Sequence, residues 1–102
     1  MCIFCQIANK EKEAAIEFED DEILVFEDIH PKAPVHLLII PKKHLVSVKE
    51  AREQDRELLG QIILTAKKVA EKRKLKGYKI EINVGREGGQ IINHLHAHLL
   101  SN

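Results

Sequence analysis

Apolar positions change period twice along the chain, dividing it into short strands, one long helix and strands again. Ile3, Phe4 and Ile7 stand at i, i+1 and i+4, which predicts a short amphipathic helix within residues 2–10. Ala15–Glu19 and Ile23–Glu27 read as strands on either side of the acidic turn Asp20-Asp21. Val35–Ile40 is an apolar run of strand length, and the flanking Pro34 and Pro41 argue against a helix. From Glu53 to Lys74 the period is helical, with Leu58, Leu59, Ile62, Ile63, Ala66, Val69 and Ala70 on one face. Glu50, Glu53, Asp55 and Glu57 crowd its start and Lys72, Arg73, Lys74 and Lys76 its end, matching the helix dipole; Gly77 offers a stop. Tyr78–Asn83 returns to alternation, Gly85–Gly89 is a loop, and Ile91–Leu100 reads as a last strand. This order predicts one α+β domain over residues 1–102 with a mostly antiparallel sheet.

Composition narrows the function classes. Sixteen basic and sixteen acidic residues cancel, so charge gives no reason to expect a nucleic-acid polymer or a membrane surface as partner. No apolar run approaches a membrane span, and Met1-Cys2-Ile3-Phe4-Cys5 lacks the basic region of a signal peptide; the expectation is a cytoplasmic protein. The two cysteines, three residues apart, would close only a tiny disulfide loop, which again favours a reducing compartment. Six histidines in 102 residues are the informative excess.

His94-Leu95-His96-Ala97-His98 would place three imidazoles on one face of a strand, with Leu95, Ala97 and Leu99 anchoring the other face in a core. Imidazole changes charge near neutral pH and can serve as nucleophile, base or anion partner. An exposed histidine-rich strand or a tag would lack this alternating apolar pattern. Just upstream, Gly85, Gly88 and Gly89 could bring backbone N–H groups to an oxyanion; taken alone they are also ordinary hairpin residues. Cys2 and Cys5 with His44 and one triad histidine make a tetrahedral zinc set, the alternative being two free thiols. With all four positions filled by protein, such a zinc would be structural.

At these residues the chain resembles the histidine triad (HIT) family of nucleotide hydrolases and transferases. His94, His96, His98, Leu99 and Leu100 match the signature, and Phe26–Pro31, Ala33–His36, Pro41–His44 and Gly88–Gln90 match further stretches in order. The nearest likeness is to the nucleoside phosphoramidase branch in its zinc-bearing form. The resemblance implies a five-stranded, mostly antiparallel sheet with one long helix and a short N-terminal helix, in a homodimer. It also implies that His96 attacks an α-phosphorus to give a nucleotidyl-histidine, that His98 contacts the phosphate, and that His36 supports the pair. Asn83 and the backbone of Gly89, Gln90 and Ile91 would hold phosphate oxygens. Asp28 would accept from the ribose hydroxyls, and Ile3, Phe4, Ile7, Phe26 and Ile29 would enclose a purine. The implied zinc ligands are Cys2, Cys5, His44 and His94, which would staple the segment carrying Ile3 and Phe4; no organic cofactor is implied.

His30 stands where relatives often carry a small polar residue and reads as a loop substitution near the ribose end. Two departures from the family pattern bear on turnover. Ile91 stands where relatives often carry a hydroxyl that reaches the scissile bridge, so slow turnover or an altered leaving-group preference is expected. Relatives also continue past the triad strand into a segment that shapes leaving-group specificity, so the expectation for this chain is a more open leaving-group side. Adenosine phosphoramidates are the expected substrates. Dinucleoside polyphosphate hydrolysis and nucleotidyl transfer would use the same His96, whereas a nucleotide-binding scaffold would not require a nucleophile.

Overall fold

The computed structural model describes residues 2–102. Five strands form one antiparallel sheet in the order β1-β2-β3-β5-β4: β1 Ile16–Glu19, β2 Ile23–Glu27, β3 Val35–Pro41, β4 Lys79–Glu81 and β5 Ala97–Ser101. Helix α1 spans Ile3–Ala8 and helix α2 spans Arg56–Lys72. The fold class read from the sequence is the one observed, and no described helix is long and apolar enough to cross a membrane.

The near-continuous apolar runs of β2 and β3 follow from burial on both sheet faces. Ile23, Val25, Leu37, Ile39, Ala97 and Leu99 face α2 and meet Ile62, Ala66, Val69 and Ala70. Leu24, Phe26, Leu38 and Ile40 face the other way and are covered by Phe4 and Ile7 of α1. This second layer is thin, because α1 has only six residues and its N-cap, Cys2, makes no side-chain capping bond.

Three expectations are corrected. Helix α2 begins at Arg56, after a 3-10 turn over Glu53–Asp55 in which the Arg52 N–H donates to the Asp55 carboxylate at 3.0 Å. It stops not at Gly77 but at Lys74 (φ 60°): Leu75 N donates to Ala70 O and Lys74 N to Glu71 O, a Schellman closure. Ile63, expected on the core face, is exposed beside Leu64.

A fourth correction matters most for the site. The last strand starts at Ala97 rather than Ile91, so only His98 of the three histidines belongs to the sheet. Residues 91–96 approach as an irregular segment tied to the loop after β3, with Leu95 N donating to Leu45 O at 2.7 Å. Inward–outward alternation nevertheless persists, since Leu95, Ala97 and Leu99 all enter the α2-side core.

Candidate functional site

A cavity of about 440 Å³ opens on the α1 side of the sheet, between α1, β2 and the segment leading into β5. His96 and His98 line it together with Asn83, Gly89 and Ile91. Ile3, Phe4, Ile7, Phe26, Asp28 and Ile29 line it as well. Phe4 joins the two groups, its ring edge-on to His96 at 5.2 Å and to Phe26 at 5.5 Å.

Hydrogen bonds set the tautomer of each imidazole. The Nδ1 of His96 lies 2.7 Å from the His94 carbonyl. A carbonyl only accepts, so Nδ1 carries the proton and Nε2 keeps its lone pair. Burial pushes the His96 pKa below the ordinary imidazole value, which favours that neutral form.

His36 is fixed from the other side. The Lys32 N–H donates to its Nδ1 at 3.0 Å, leaving the proton on Nε2, which donates to His98 Nδ1 at 2.9 Å. Neutral His98 therefore carries its own proton on Nε2. The sheet register explains the contact: Leu38 is the direct partner of His98, so His36 on β3 is its diagonal neighbour on the same face. Burial, then the neighbouring His96 and His36, lower the His98 pKa. Asp28 Oδ2 lies 3.4 Å from His36 Nε2, and its Oδ1 accepts from the His30 N–H at 2.8 Å.

Gln90 is not brought to the cavity. It is buried, and its amide is fully used: Nε2 donates to Val46 O (2.6 Å) and Ile92 O (3.0 Å), while Oε1 accepts from Gly85 N (2.9 Å). Its backbone N–H donates to Gly85 O and that of Gly89 to Arg86 O, both at 3.0 Å, so among the N–H groups of Gly89, Gln90 and Ile91 that of Ile91 is left unpartnered within the described residues. Gly89 favours glycine because its φ of +92° is left-handed; a Cβ there would meet the Asn83 side chain only at ordinary van der Waals distance.

Below the triad, Cys2, Cys5, His44 and His94 bring one ligand atom each within 4.8 Å of the others. The Nε2 of buried His94 donates to Pro41 O at 2.8 Å, so its Nδ1 lone pair faces Cys2 Sγ (3.3 Å), Cys5 Sγ (3.6 Å) and His44 Nδ1 (3.1 Å). Tetrahedral zinc with bonds of roughly 2.0–2.3 Å separates its ligand atoms by roughly 3.3–3.8 Å. The donor chemistry, the spacing and the carbonyl that orients His94 all fit a metal ion. Burial lowers the His94 pKa, keeping it a neutral ligand, and raises that of Cys5, a cost that a bound cation would reverse.

Asp28, His36 and His98 also converge within 4.8 Å. There, however, the Lys32 N–H commits His36 to presenting a proton rather than a lone pair. That cluster is a hydrogen-bonded relay, not a ready ligand set.

Comparison with known proteins agrees with the geometry. A protein-family model described as "Scavenger mRNA decapping enzyme C-term binding" matches residues 1–102. Protein HitA of Neisseria gonorrhoeae is 45% identical over 97% of this chain and 94% of its own length. The crystal structure of a HIT family hydrolase from Legionella pneumophila superposes with a TM-score of 0.98 at 47% identity, covering 100% of this chain and 93% of that one. This chain belongs to the histidine triad family. A histidine triad nucleotide-binding protein from Candida albicans has a TM-score of 0.87 at 32% identity, over 97% of this chain and 73% of that one.

The triad of this HIT protein is divided rather than aligned. His94 turns down to the cysteines, while His96 and His98 meet at the cavity with ring centroids 5.0 Å apart. The two branches stay joined through the His94 carbonyl, which orients His96. His30, expected near the ribose end, lines the cavity, as do Lys12, Glu13 and Lys32, which were not assigned to it from sequence. A charged run such as Lys10–Glu13 reads like any solvated turn. The Lys32 contact with His36 is made by backbone, which leaves no side-chain signal.

Proposed function

We propose that this protein hydrolyses purine nucleoside 5′-phosphoramidates, adenosine adducts among them, through a nucleotidyl-His96 intermediate. The observation that carries this reading is the free Nε2 lone pair of a neutral His96 at the cavity, with Nδ1–H held by a carbonyl. Nε2 attacks the α-phosphorus, the P–N bond to the amine breaks, and the amine takes a proton from solvent. Water then attacks the same phosphorus, releasing the nucleoside monophosphate and His96.

The His94 carbonyl accepts from the imidazolium-like Nδ1–H as positive charge develops on the ring. His98 Nε2–H, the Asn83 side chain and the Ile91 N–H are the donors for phosphate oxygens. Asp28 suits a ribose diol, and Phe4 and Phe26 suit the purine faces. Cys2, Cys5, His44 and His94 would hold a structural zinc, which supplies a cross-link and, with four protein ligands, no open position for water. Exposed Ile63 and Leu64 on α2 support a homodimer built on that helix.

Release of AMP from adenosine 5′-phosphoramidate by the parent, and its loss in His96→Ala, is the expected result. Binding of AMP without any release would contradict the phosphoramidase reading. It would then favour a dinucleoside polyphosphate or nucleotidyl-transfer reaction, which uses the same histidine with another leaving group.

A further inference from the structure

The two cysteines of the metal cluster flank the wall of the cavity. Cys2 and Cys5 enclose Ile3 and Phe4, and Phe4 packs on His96 (5.2 Å), His94 (5.9 Å) and Phe26 (5.5 Å). Little else holds that wall. A helix of six residues is too short to be stable alone, and α1 has no side-chain N-cap, no acidic residue in its first turn and no basic residue in its last. Its anchors are the buried Phe4 and Ile7 and the four-residue cluster at its start. The cluster is also reachable: Cys2 and Cys5 are half-buried, and His44 is exposed.

We propose that Cys2 and Cys5 are a peroxide-oxidisable thiol pair whose state sets nucleotide affinity by holding or releasing the Phe4 wall. The inference rests on the reading of the cavity as a nucleotide site and of the cluster as a zinc site. The chemistry balances with hydrogen peroxide as oxidant. The thiolate of one cysteine attacks a peroxide oxygen, the O–O bond breaks, and a sulfenic acid and hydroxide form. The second thiolate attacks that sulfur, the S–O bond breaks, a Cys2–Cys5 disulfide forms and a second hydroxide leaves. Two electrons pass from sulfur to peroxide, and both hydroxides are protonated by solvent. The sulfur atoms start within 4.8 Å of each other. Joining them at about 2.05 Å takes both thiolates away from His44 and His94, leaving two imidazoles that cannot hold the ion alone.

The separation of roles gives the inference its signature. His96 stays oriented by the backbone carbonyl of His94, whose ring keeps its bond to Pro41 O when the cysteines leave, and His98 stays oriented by His36. Oxidation should therefore weaken nucleotide binding much more than it slows the bound substrate. The full-length zinc-loaded protein would be titrated with hydrogen peroxide, reading zinc release with a chromogenic chelator, the disulfide by peptide mass, and AMP affinity by calorimetry. Expected are one zinc released per Cys2–Cys5 disulfide and AMP binding weaker by about tenfold, the scale of losing an aromatic wall. Dithiothreitol with added zinc should restore both.

Disulfide formation and zinc release with AMP affinity unchanged would overturn the proposal, as would thiols and zinc untouched by peroxide. A Cys2→Ser/Cys5→Ser protein should bind AMP with an affinity that peroxide no longer alters; a persisting response would place the oxidation elsewhere and refute this assignment. AMP binding without hydrolysis would count against the phosphoramidase reading alone, and the peroxide titration would still decide this one. Failure of the zinc-loaded protein to bind AMP would overturn both.

Discussion

Replacing Gln90 by alanine isolates a single buried amide that ties three segments together. The substitution removes two bonds donated by Nε2, to Val46 O and Ile92 O, and one accepted by Oε1 from Gly85 N. At about 0.5–1.5 kcal/mol net for each bond, with the former partners left in a mostly enclosed site, the loss is about 2–3 kcal/mol. For a domain of this size that lowers the melting temperature by roughly 10 °C or more. The amide joins the loop after β3, which carries His44, to the loop that presents Asn83, Gly89 and Ile91. Turnover on a phosphoramidate should therefore fall together with stability. The assay is thermal and urea unfolding of the metal-loaded protein beside steady-state kinetics. A loss of activity with stability changed by less than about 0.5 kcal/mol would refute the reasoning and return Gln90 to direct substrate contact.

Other substitutions and conditions probe separate parts of the account. Ile91→Ser puts a hydroxyl at the exposed leaving-group side, and kcat on an adenosine phosphoramidate should rise severalfold; no gain would show that the missing hydroxyl does not limit turnover. Glu17→Gln breaks the two-pronged pair with Arg73 (Nη2–Oε1 2.8 Å, Nε–Oε2 3.1 Å) that fastens β1 to the end of α2, and should cost about 1 kcal/mol by urea unfolding at pH 7. The Arg73 guanidinium holds the Glu17 carboxyl below its usual range, so this stabilisation is present above the ordinary glutamate pKa and is lost as pH falls through the lowered value; the parent and Glu17→Gln stabilities should converge there. For His96 the lowered pKa keeps the nucleophile neutral. The rate should stay level as pH falls past about 6.5 and drop only below it, whereas a drop centred above that value would contradict the burial argument.

Period and punctuation carried the architecture into the sequence. The apolar runs of β2 and of proline-bounded β3 and the helical stripe of α2 are each imposed by which faces are buried, and burial is written in side-chain type. Element ends were less legible. Lys74 takes the left-handed cap that a glycine was expected to fill, because the Schellman bonds to Ala70 and Glu71 compensate a conformation that propensity alone disfavours.

The site divides along the same line. Residues whose chemistry is in the side chain, such as His96, Asp28 and Phe26, were visible and line the cavity. Features made by backbone were not: the irregular path of residues 91–96 that sends His94 and His96 to different partners, the Lys32 N–H on His36, and the internal commitments of Gln90. Ile63 shows the limit of a helical stripe, since a residue at the margin of the apolar face can lie outside the core without breaking the pattern.

The most direct test of the central claim is to trap the covalent intermediate. The protein would be mixed with excess adenosine 5′-phosphoramidate, quenched in alkaline denaturant during turnover, and digested for peptide mass analysis. The expected result is an adenylyl group on the peptide containing His94–His98, localised to His96 by fragmentation and absent from His96→Ala. Undiminished AMP release by His96→Ala, or an adduct on His98 in the parent, would contradict it.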